Sequence, residues 1–200
     1  MNNNQQRTRS IAVNGLLAAV ICIVSFMPLR TLGLEITLSM VPVAIGASLF
    51  GSTSGAALGG IFGIVSFIQC FGYSPFGAGL LSIDPFATFM VCVPTRILAG
   101  FLAGAIASGI RRGFSGSKTS FVSFAVSSIT APILNTLFFM STLCLFFYNT
   151  DYIQGFAGML GAPNVFMFIL LFVGINGLVE IAAGFALALP LSKALSKAFK

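Results

Sequence analysis

Arg96 lies inside a stretch that otherwise holds apolar and small residues, VCVPTRILAGFLAGAIASGI, two positions after Pro94. A guanidinium near the middle of a bilayer costs at least ~2.5–3.5 kcal/mol on insertion scales, so groups inside the protein must compensate its charge. A proline within a helix also leaves the carbonyl one turn earlier without its donor. The pattern indicates an arginine that faces a polar partner or an anionic ligand rather than lipid.

Two more polar residues, Asn135 and Asn176, are predicted at similar depth in later apolar stretches, and Glu180 is predicted one turn deeper. A rise of ~1.5 Å per residue places Arg96 ~15 Å, Asn135 ~18 Å and Asn176 ~17 Å below the outer ends of their stretches. Glu180 follows Asn176 at i+4, so both share one helix face. We expect a single polar layer in which the arginine binds a ligand carboxylate in a planar fork. The alternative is an Arg96–Glu180 ion pair that only fixes helix register.

An aromatic and glycine-rich stretch, FIQCFGYSPFGAG, is predicted as a loop from Phe67 to Gly79 on the outer side of this layer. Gln69 and Tyr73 supply polar atoms there, and the glycines permit unusual turns. We expect either that this loop closes over a ligand through Gln69 and Tyr73, or that it is a disordered connector with membrane-seeking phenylalanines.

Motifs for catalysis and for metal binding are missing from the sequence. There is no GxxxxGK[ST], HExxH or GxSxG pattern, and the chain has no histidine and only four acidic residues. The four cysteines, at irregular spacing in apolar surroundings, are expected to be packing residues rather than metal ligands or a disulfide. We therefore predict no enzyme activity, no cofactor and no metal site.

The elements that position these residues are predicted to be membrane helices. The chain of 200 residues is 57% hydrophobic and 7% charged, far outside the range of soluble domains. Apolar runs near the ~20 residues that cross a bilayer lie at about 10–28, 37–50, 54–71, 86–110, 119–147 and 164–190. The sequence thus predicts an all-α polytopic membrane protein, a compact six-helix bundle that forms a single domain over 1–200. The first run is read as a retained helix rather than a signal peptide, because no small-x-small cleavage pattern follows it.

The distribution of charge predicts the orientation of the bundle. With the N-terminus inside, nearly all basic residues collect on the cytoplasmic side, namely Arg7, Arg9, Arg111, Arg112, Lys118, Lys193, Lys197 and Lys200. The outer loops keep Arg30 with Glu35, Asp84 and Asp151. This asymmetry predicts that both termini are cytoplasmic in the plasma membrane. It also explains the net charge of +6 without a nucleic-acid partner.

Small residues recur at four-residue spacing in two segments. The third carries Gly51, Gly55, Gly59 and Gly63, and the fourth carries Gly100, Gly104 and Ser108. Such stripes let helices approach closely, so we expect packing within the bundle, with homodimerisation as the alternative. The first segment offers a shorter pair, Gly15 and Ala19.

Three stretches resemble the S component, the substrate-binding membrane subunit, of energy-coupling factor (ECF) vitamin transporters. They are GLLAAVICIVSF at 15–26, ITLSMVPVAIGASLFGSTSGAALGGIFGIVSF at 36–67 and PTRILAGFLAG at 94–104. The resemblance implies high-affinity capture of a vitamin outside the cell, association with a membrane coupling (T) subunit and two cytoplasmic ATPases, and toppling in the bilayer to release the substrate. It also implies that Gly15 and Ala19 contact the coupling subunit, although the family's usual pattern has alanine at both positions.

Within that family, the stretches SFIQCFGYSPFG, DPFATFMVCVPTRI, ILNTLFF and FVGINGLVE are most similar to sequences assigned to pantothenate. An arginine in a hydrogen-bonding layer suits this small polar anion. Folate, riboflavin or a pyridoxine-type vitamin are the alternatives within the family. Outside it, a stand-alone secondary carrier or a membrane scaffold protein remains open, although no internal repeat supports a carrier.

Overall fold

The structure is a computed structural model. It describes the backbone of residues 3–27, 30–31, 34–35, 38–113 and 119–198, and side chains within 7–27, 38–113, 121–174, 182 and 185–194. The first half of the chain forms α1 (Asn3–Ser25), β1 (Arg30–Thr31), β2 (Leu34–Glu35), α2 (Met40–Phe50), α3 (Ser52–Gln69), α4 (Pro75–Ile83) and α5 (Pro85–Cys92). The second half forms α6 (Pro94–Gly113), α7 (Thr119–Phe147), α8 (Asp151–Met159), α9 (Val165–Ala183), a π-helical turn (Gly184–Ala188) and α10 (Leu189–Ala198). In the described chain, β1 and β2 form one short antiparallel hairpin and the rest of the regular structure is helical.

Four helical stretches of the described residues are long and apolar enough to cross a membrane: Arg7–Ser25, Ser52–Gln69, Pro85–Gly113 and Phe121–Phe147. They match the first, third, fourth and fifth predicted segments. The second segment is the 11-residue α2, which at ~1.5 Å per residue spans about half of a ~30 Å hydrocarbon core. The six-helix count and the position of the termini therefore stay predictions.

The sixth predicted segment differs from a continuous helix. Gly174 has φ 27° and ψ −120°, and the chain passes through the π-helical turn before α10 begins. Glycine adopts a positive φ without the steric cost that a Cβ would bring. The segment thus consists of shorter helical pieces and continues to Ala198 instead of ending near residue 190.

The prediction of a loop from Phe67 to Gly79 is wrong for most of that stretch. The helix α3 continues through Gln69, and α4 starts at Pro75 after a short turn. Ser74 caps α4 by accepting a hydrogen bond from the Gly77 amide at 3.3 Å, and the fixed φ of proline suits the first helical position. Gly77 and Gly79 are helical, because the cap and the buried face of α4 outweigh their low helix propensity. Gly72 lies in the turn with φ 124°, a conformation that favours glycine.

The glycine stripes pack α3 against α6, which confirms the expected contact within the bundle. A Cβ built on Gly63 would lie 2.8 Å from Val93 Cα, and one built on Gly104 would lie 2.7 Å from Ser52 Cα. Gly55 and Gly100 face each other at the same crossing, each against the other's backbone. Backbones this close leave no room for side chains, so the small residues set the separation of the two helices.

Two large hydrophobic clusters pack the interior of the described bundle. The first draws on α1, α2, α3, α6 and α7 and includes Leu17, Ile21, Leu58, Phe62, Ala99, Ala103 and Ala131. The second draws on α4, α5, α7, α8 and α9 and includes Leu80, Val91, Met140, Leu143, Phe147, Ile153 and Phe168. Along α5–α6, Arg96 lies between Val91 of the second cluster and Ala99 of the first. Along α7, Asn135 lies between Ala131 of the first cluster and Met140 of the second. The two polar residues therefore mark the boundary between the clusters.

Candidate functional site

Arg96 is placed by a helix break. The helix α5 ends at Cys92, Val93 follows in a turn, and α6 begins at Pro94. Carbonyls in the last turn of a helix lack an intrahelical donor. Arg96 Nη1 donates to the carbonyls of Val91 at 3.2 Å and Cys92 at 2.9 Å. The hydroxyl of Thr95 also donates to the Val91 carbonyl, at 2.5 Å. The break thus provides acceptors for the guanidinium.

Two aromatic rings lie against the guanidinium. Arg96 Cζ lies 4.7 Å from the ring centroid of Phe62 on α3 and 5.3 Å from that of Phe139 on α7. Desolvated cation–π contacts contribute ~2 kcal/mol each, and hydrogen bonds to a charged group contribute ~1.5–3 kcal/mol. Their sum is comparable with the cost of placing the charge in the bilayer. Arg96 is only 6% exposed, so its charge is held inside the bundle.

Asn135 shares this layer. It lies one turn before Phe139 on α7, so the two residues share a helix face. The residue is 6% exposed, and its Oδ1 atom accepts no hydrogen bond from any residue in the described part of the chain. A buried amide oxygen without a donor costs ~1–3 kcal/mol. This cost is removed when a ligand supplies an N–H or O–H.

Asn176 and Glu180 are the other two members of the predicted layer. Asn176 and Glu180 lie on the backbone of α9, but their side chains are outside the described residues. Their placement beside Arg96, and the Arg96–Glu180 ion pair, therefore stay predictions.

Gln69 and Tyr73 contact the end of α1. Gln69 Nε2 donates to the carbonyl of Ser25 at 2.5 Å, and the Tyr73 hydroxyl donates to that of Phe26 at 2.5 Å. The Tyr73 ring also packs edge-on against Phe26, with centroids 5.2 Å apart. Both side chains thus satisfy carbonyls left over where α1 ends. The structure brings both side chains to α1, and their predicted contact with a ligand stays a prediction.

The aromatic contacts of Arg96 were missed by the sequence reasoning. Phe62 lies three residues after Gly59, and a Cβ built on Gly59 would meet the Arg96 backbone. The glycine stripe could therefore have indicated that Phe62 lies near Arg96. Phe139 follows Asn135 at i+4, the spacing that places side chains on one face. With 22 phenylalanines in the chain, neither ring stands out by type alone.

An open cleft lies between the end of α4 and the start of α8. It has a volume of about 510 Å³ and is lined by Gly79, Ser82, Ile83, Asn149, Thr150, Asp151 and Tyr152. These lining residues include a carboxylate and no basic side chain. Because an anion requires positive charge or an array of donors, the layer around Arg96 suits an anionic ligand better than this cleft.

The small pair on α1 lies on the surface. Gly15 and Ala19 are exposed, and a Cβ built on Gly15 would meet no atom within 4 Å. The same helix exposes Ile11, Leu16 and Ile23 by 62–67%. We call this surface the α1 face; it is available to lipid or to another membrane helix.

The comparisons with known proteins agree with this architecture. The model of the family described as "ECF transporter, substrate-specific component" matches residues 9–192. No curated protein matches the chain significantly. Members of this family are transport subunits rather than enzymes, and they work with a membrane T subunit and ATPases on a small-molecule substrate. Because the match spans nearly the whole chain, this multi-pass membrane protein belongs to the family of ECF transporter substrate-specific components.

Proposed function

We propose that the chain captures pantothenate for an ATP-driven importer, and that the vitamin binds in the layer between the two hydrophobic clusters. The observation that carries this proposal is the guanidinium of Arg96, buried between Phe62 and Phe139. It is a fixed positive charge in an apolar enclosure, which favours a small anion over a neutral vitamin.

Recognition of the carboxylate follows from the geometry of arginine. A guanidinium carries five N–H donors, of which those on Nη1 reach the Val91 and Cys92 carbonyls. Its planar fork matches the geometry of a carboxylate. The bonds from Nη1 fix the plane of the group before the ligand arrives. Such preorganisation reduces the entropy lost on binding.

The neutral groups of pantothenate suit Asn135. The vitamin presents hydroxyls and an amide, and Asn135 Oδ1 is a buried acceptor without a donor among the described residues. The rings of Phe62 and Phe139 offer apolar cover for the methyl groups of the ligand. We expect Asn176 and Glu180 to add polar contacts from α9, with Glu180 orienting Arg96.

Coupling to the transporter is assigned to the α1 face. Gly15 and Ala19 lie one turn apart, and their small size lets a helix of the T subunit approach the backbone closely. Leu17 and Ile21 on the opposite side of α1 are buried in the first cluster. The helix thus has one side for the bundle and one side for a partner.

Mass spectrometry of the small molecule released by denaturing the purified protein tests the substrate. We expect pantothenate, and calorimetry should show that it binds more tightly than folate, riboflavin or pyridoxine. Copurification of one of those vitamins would overturn pantothenate as the substrate, but it would leave the role of a substrate-binding subunit standing. Failure to copurify T and ATPase subunits from cells that express all of them would favour a stand-alone carrier.

A further inference from the structure

Two cysteine thiols lie side by side near the site. Cys70 Sγ and Cys92 Sγ are 3.9 Å apart, and each residue is 4% exposed. Cys70 directly follows α3, and Cys92 is the last residue of α5. They form a small cluster with Val93, packed by Phe67 and Leu81. The pair therefore joins two helix ends that are 22 residues apart in sequence.

The packing around the thiols keeps them in contact. A Cβ built on Gly77 of α4 would lie 2.6 Å from Cys70 Sγ, so the glycine leaves the space that the thiol occupies. Cys70 Sγ also donates to the Ser66 carbonyl at 3.3 Å. A disulfide requires a sulfur–sulfur distance of ~2.05 Å, which is less than ~2 Å of closure from the observed separation.

The position of the pair connects it to the arginine. The Cys92 carbonyl accepts the 2.9 Å hydrogen bond from Arg96 Nη1. The residues between the two cysteines form α4 and α5. A covalent bond here would tie the end of α3 to the helix break that holds the guanidinium, and it would close α4 and α5 into a loop.

We propose that Cys70 and Cys92 form a reversible disulfide that locks the α3 end to the α5–α6 break. The oxidant is a low-molecular-weight disulfide. The thiolate of one cysteine attacks it, forming a mixed disulfide and releasing one small thiol. The second cysteine then attacks the mixed disulfide at the protein sulfur, forming the Cys70–Cys92 bond and releasing the second small thiol. The small disulfide gains the two electrons that the cysteines lose, and the protons of the two cysteines leave on the released thiols.

This inference is independent of the proposed substrate. The predicted orientation places both cysteines toward the extracellular side, where disulfides persist more readily than in the cytosol. The other two cysteines, Cys22 and Cys144, lie on α1 and α7, and neither contributes to this cluster.

The test uses the full chain in detergent with Cys22→Ser and Cys144→Ser, so that only the pair remains. The protein is incubated with dipyridyl disulfide, a small membrane-permeant oxidant, and analysed by intact mass and peptide mapping. We expect a product lighter by two hydrogens, with a Cys70–Cys92 crosslink that dithiothreitol reverses. Hydrogen exchange of the α4 and α5 amides should slow on oxidation.

Matched controls carry Cys70→Ser or Cys92→Ser in the same background, with Cys70→Ala and Cys92→Ala as substitutes if either serine variant misfolds. Each should yield at most one pyridyl adduct and no change in exchange. Two pyridyl adducts on the intact pair, or two thiols that survive prolonged oxidation, would overturn the disulfide. A crosslink that leaves the exchange of α4 and α5 unchanged would overturn the lock.

Discussion

At the scale of single residues, Arg96 shows how this fold holds a charge in an apolar interior. Its Nη1 atom donates to two carbonyls of the preceding helix, and two phenylalanine rings lie against the guanidinium. These contacts are of the same order as the insertion cost of the charge. A ligand is therefore not required to stabilise the arginine.

We predict that Arg96→Ala abolishes pantothenate binding or weakens it by at least about ten- to a hundredfold, because it removes a charged hydrogen-bond donor. Arg96→Lys should rescue poorly, since an ammonium lacks the planar fork. Calorimetry on purified protein measures both. An affinity equal to wild type in Arg96→Ala would show that the residue only fixes the helices.

Asn135 should bind the neutral polar groups of the ligand rather than its carboxylate. Asn135→Leu leaves ligand polar groups without partners, at a cost of ~1–3 kcal/mol. We expect this variant, and Asn176→Leu likewise, to narrow the preference for pantothenate over an analogue without its hydroxyls. Titration of both ligands measures this preference. Arg96→Ala is the control, and it should lose affinity for both ligands alike. An unchanged preference would mean that the two amides only hold helices together.

At the scale of elements, the α3–α6 crossing and the α5–α6 break act together. The glycines bring the two helix backbones into contact, and Gly59 packs directly against the backbone of Arg96. The break after α5 then turns the guanidinium toward Phe62 on α3. Small residues on one helix thus help to position the charge on the other.

We predict that Gly104→Leu strongly destabilises the bundle, because its side chain would enter the backbone of Gly51 and Ser52. Overpacking costs typically ~1–3 kcal/mol, and backbone contacts cannot relax as side chains do. The matched control is Gly109→Leu on the same helix, where a Cβ meets no atom within 4 Å. Thermal unfolding in detergent should show a clear loss only for Gly104→Leu. Equal losses would mean that the crossing is not tightly packed.

The α1 face should affect transport without affecting binding. Gly15→Trp or Ala19→Trp should block close approach of the T subunit, while the layer around Arg96 stays intact. Uptake into cells should fail, and pantothenate binding by the purified variant should persist. Leu145→Trp is the control, since Leu145 on α7 is 79% exposed and lies outside the α1 face. A parallel loss of binding would instead indicate that α1 packs within the bundle there.

At the scale of the whole molecule, the charged residues of the described chain gather near the ends of its helices. Arg7, Arg9, Arg111, Arg112 and Lys193 lie on helix ends at one side, and Asp84 and Asp151 lie at the other. Along α5–α6 and along α7, the arginine layer lies between the two hydrophobic clusters. A ligand in that layer would contact both clusters, so its binding can affect how they pack against each other.

We predict the orientation from the positive-inside rule. In a background without the four native cysteines, Asp151→Cys should react with a membrane-impermeant maleimide in intact cells. Arg112→Cys should react only after permeabilisation. Labelling is measured by the mass shift on a gel. Reaction of Arg112→Cys in intact cells would reverse the assigned sides.

The sequence by itself determined the properties that depend on residue type and local spacing. Composition identified a membrane protein, the glycine stripes indicated a close helix contact, and the isolated charge of Arg96 marked the layer. These features follow from solvation and helix geometry, which act over a few residues. Pro94 cannot donate to the carbonyl of Met90, four residues earlier. The bonds from the guanidinium and the Thr95 hydroxyl go instead to the neighbouring carbonyls of Val91 and Cys92, and only the structure shows them.

Only the tertiary structure decided which distant side chains meet. The rings of Phe62 and Phe139 at Arg96, the attachment of Gln69 and Tyr73 to α1, and the contact between Cys70 and Cys92 all depend on helix rotation and register. Likewise, the helical structure between Phe67 and Gly79 depends on caps and on burial of α4 against the second cluster. Packing between helices sets these pairings, because a rotation of one helix changes every long-range contact while its own sequence pattern stays the same.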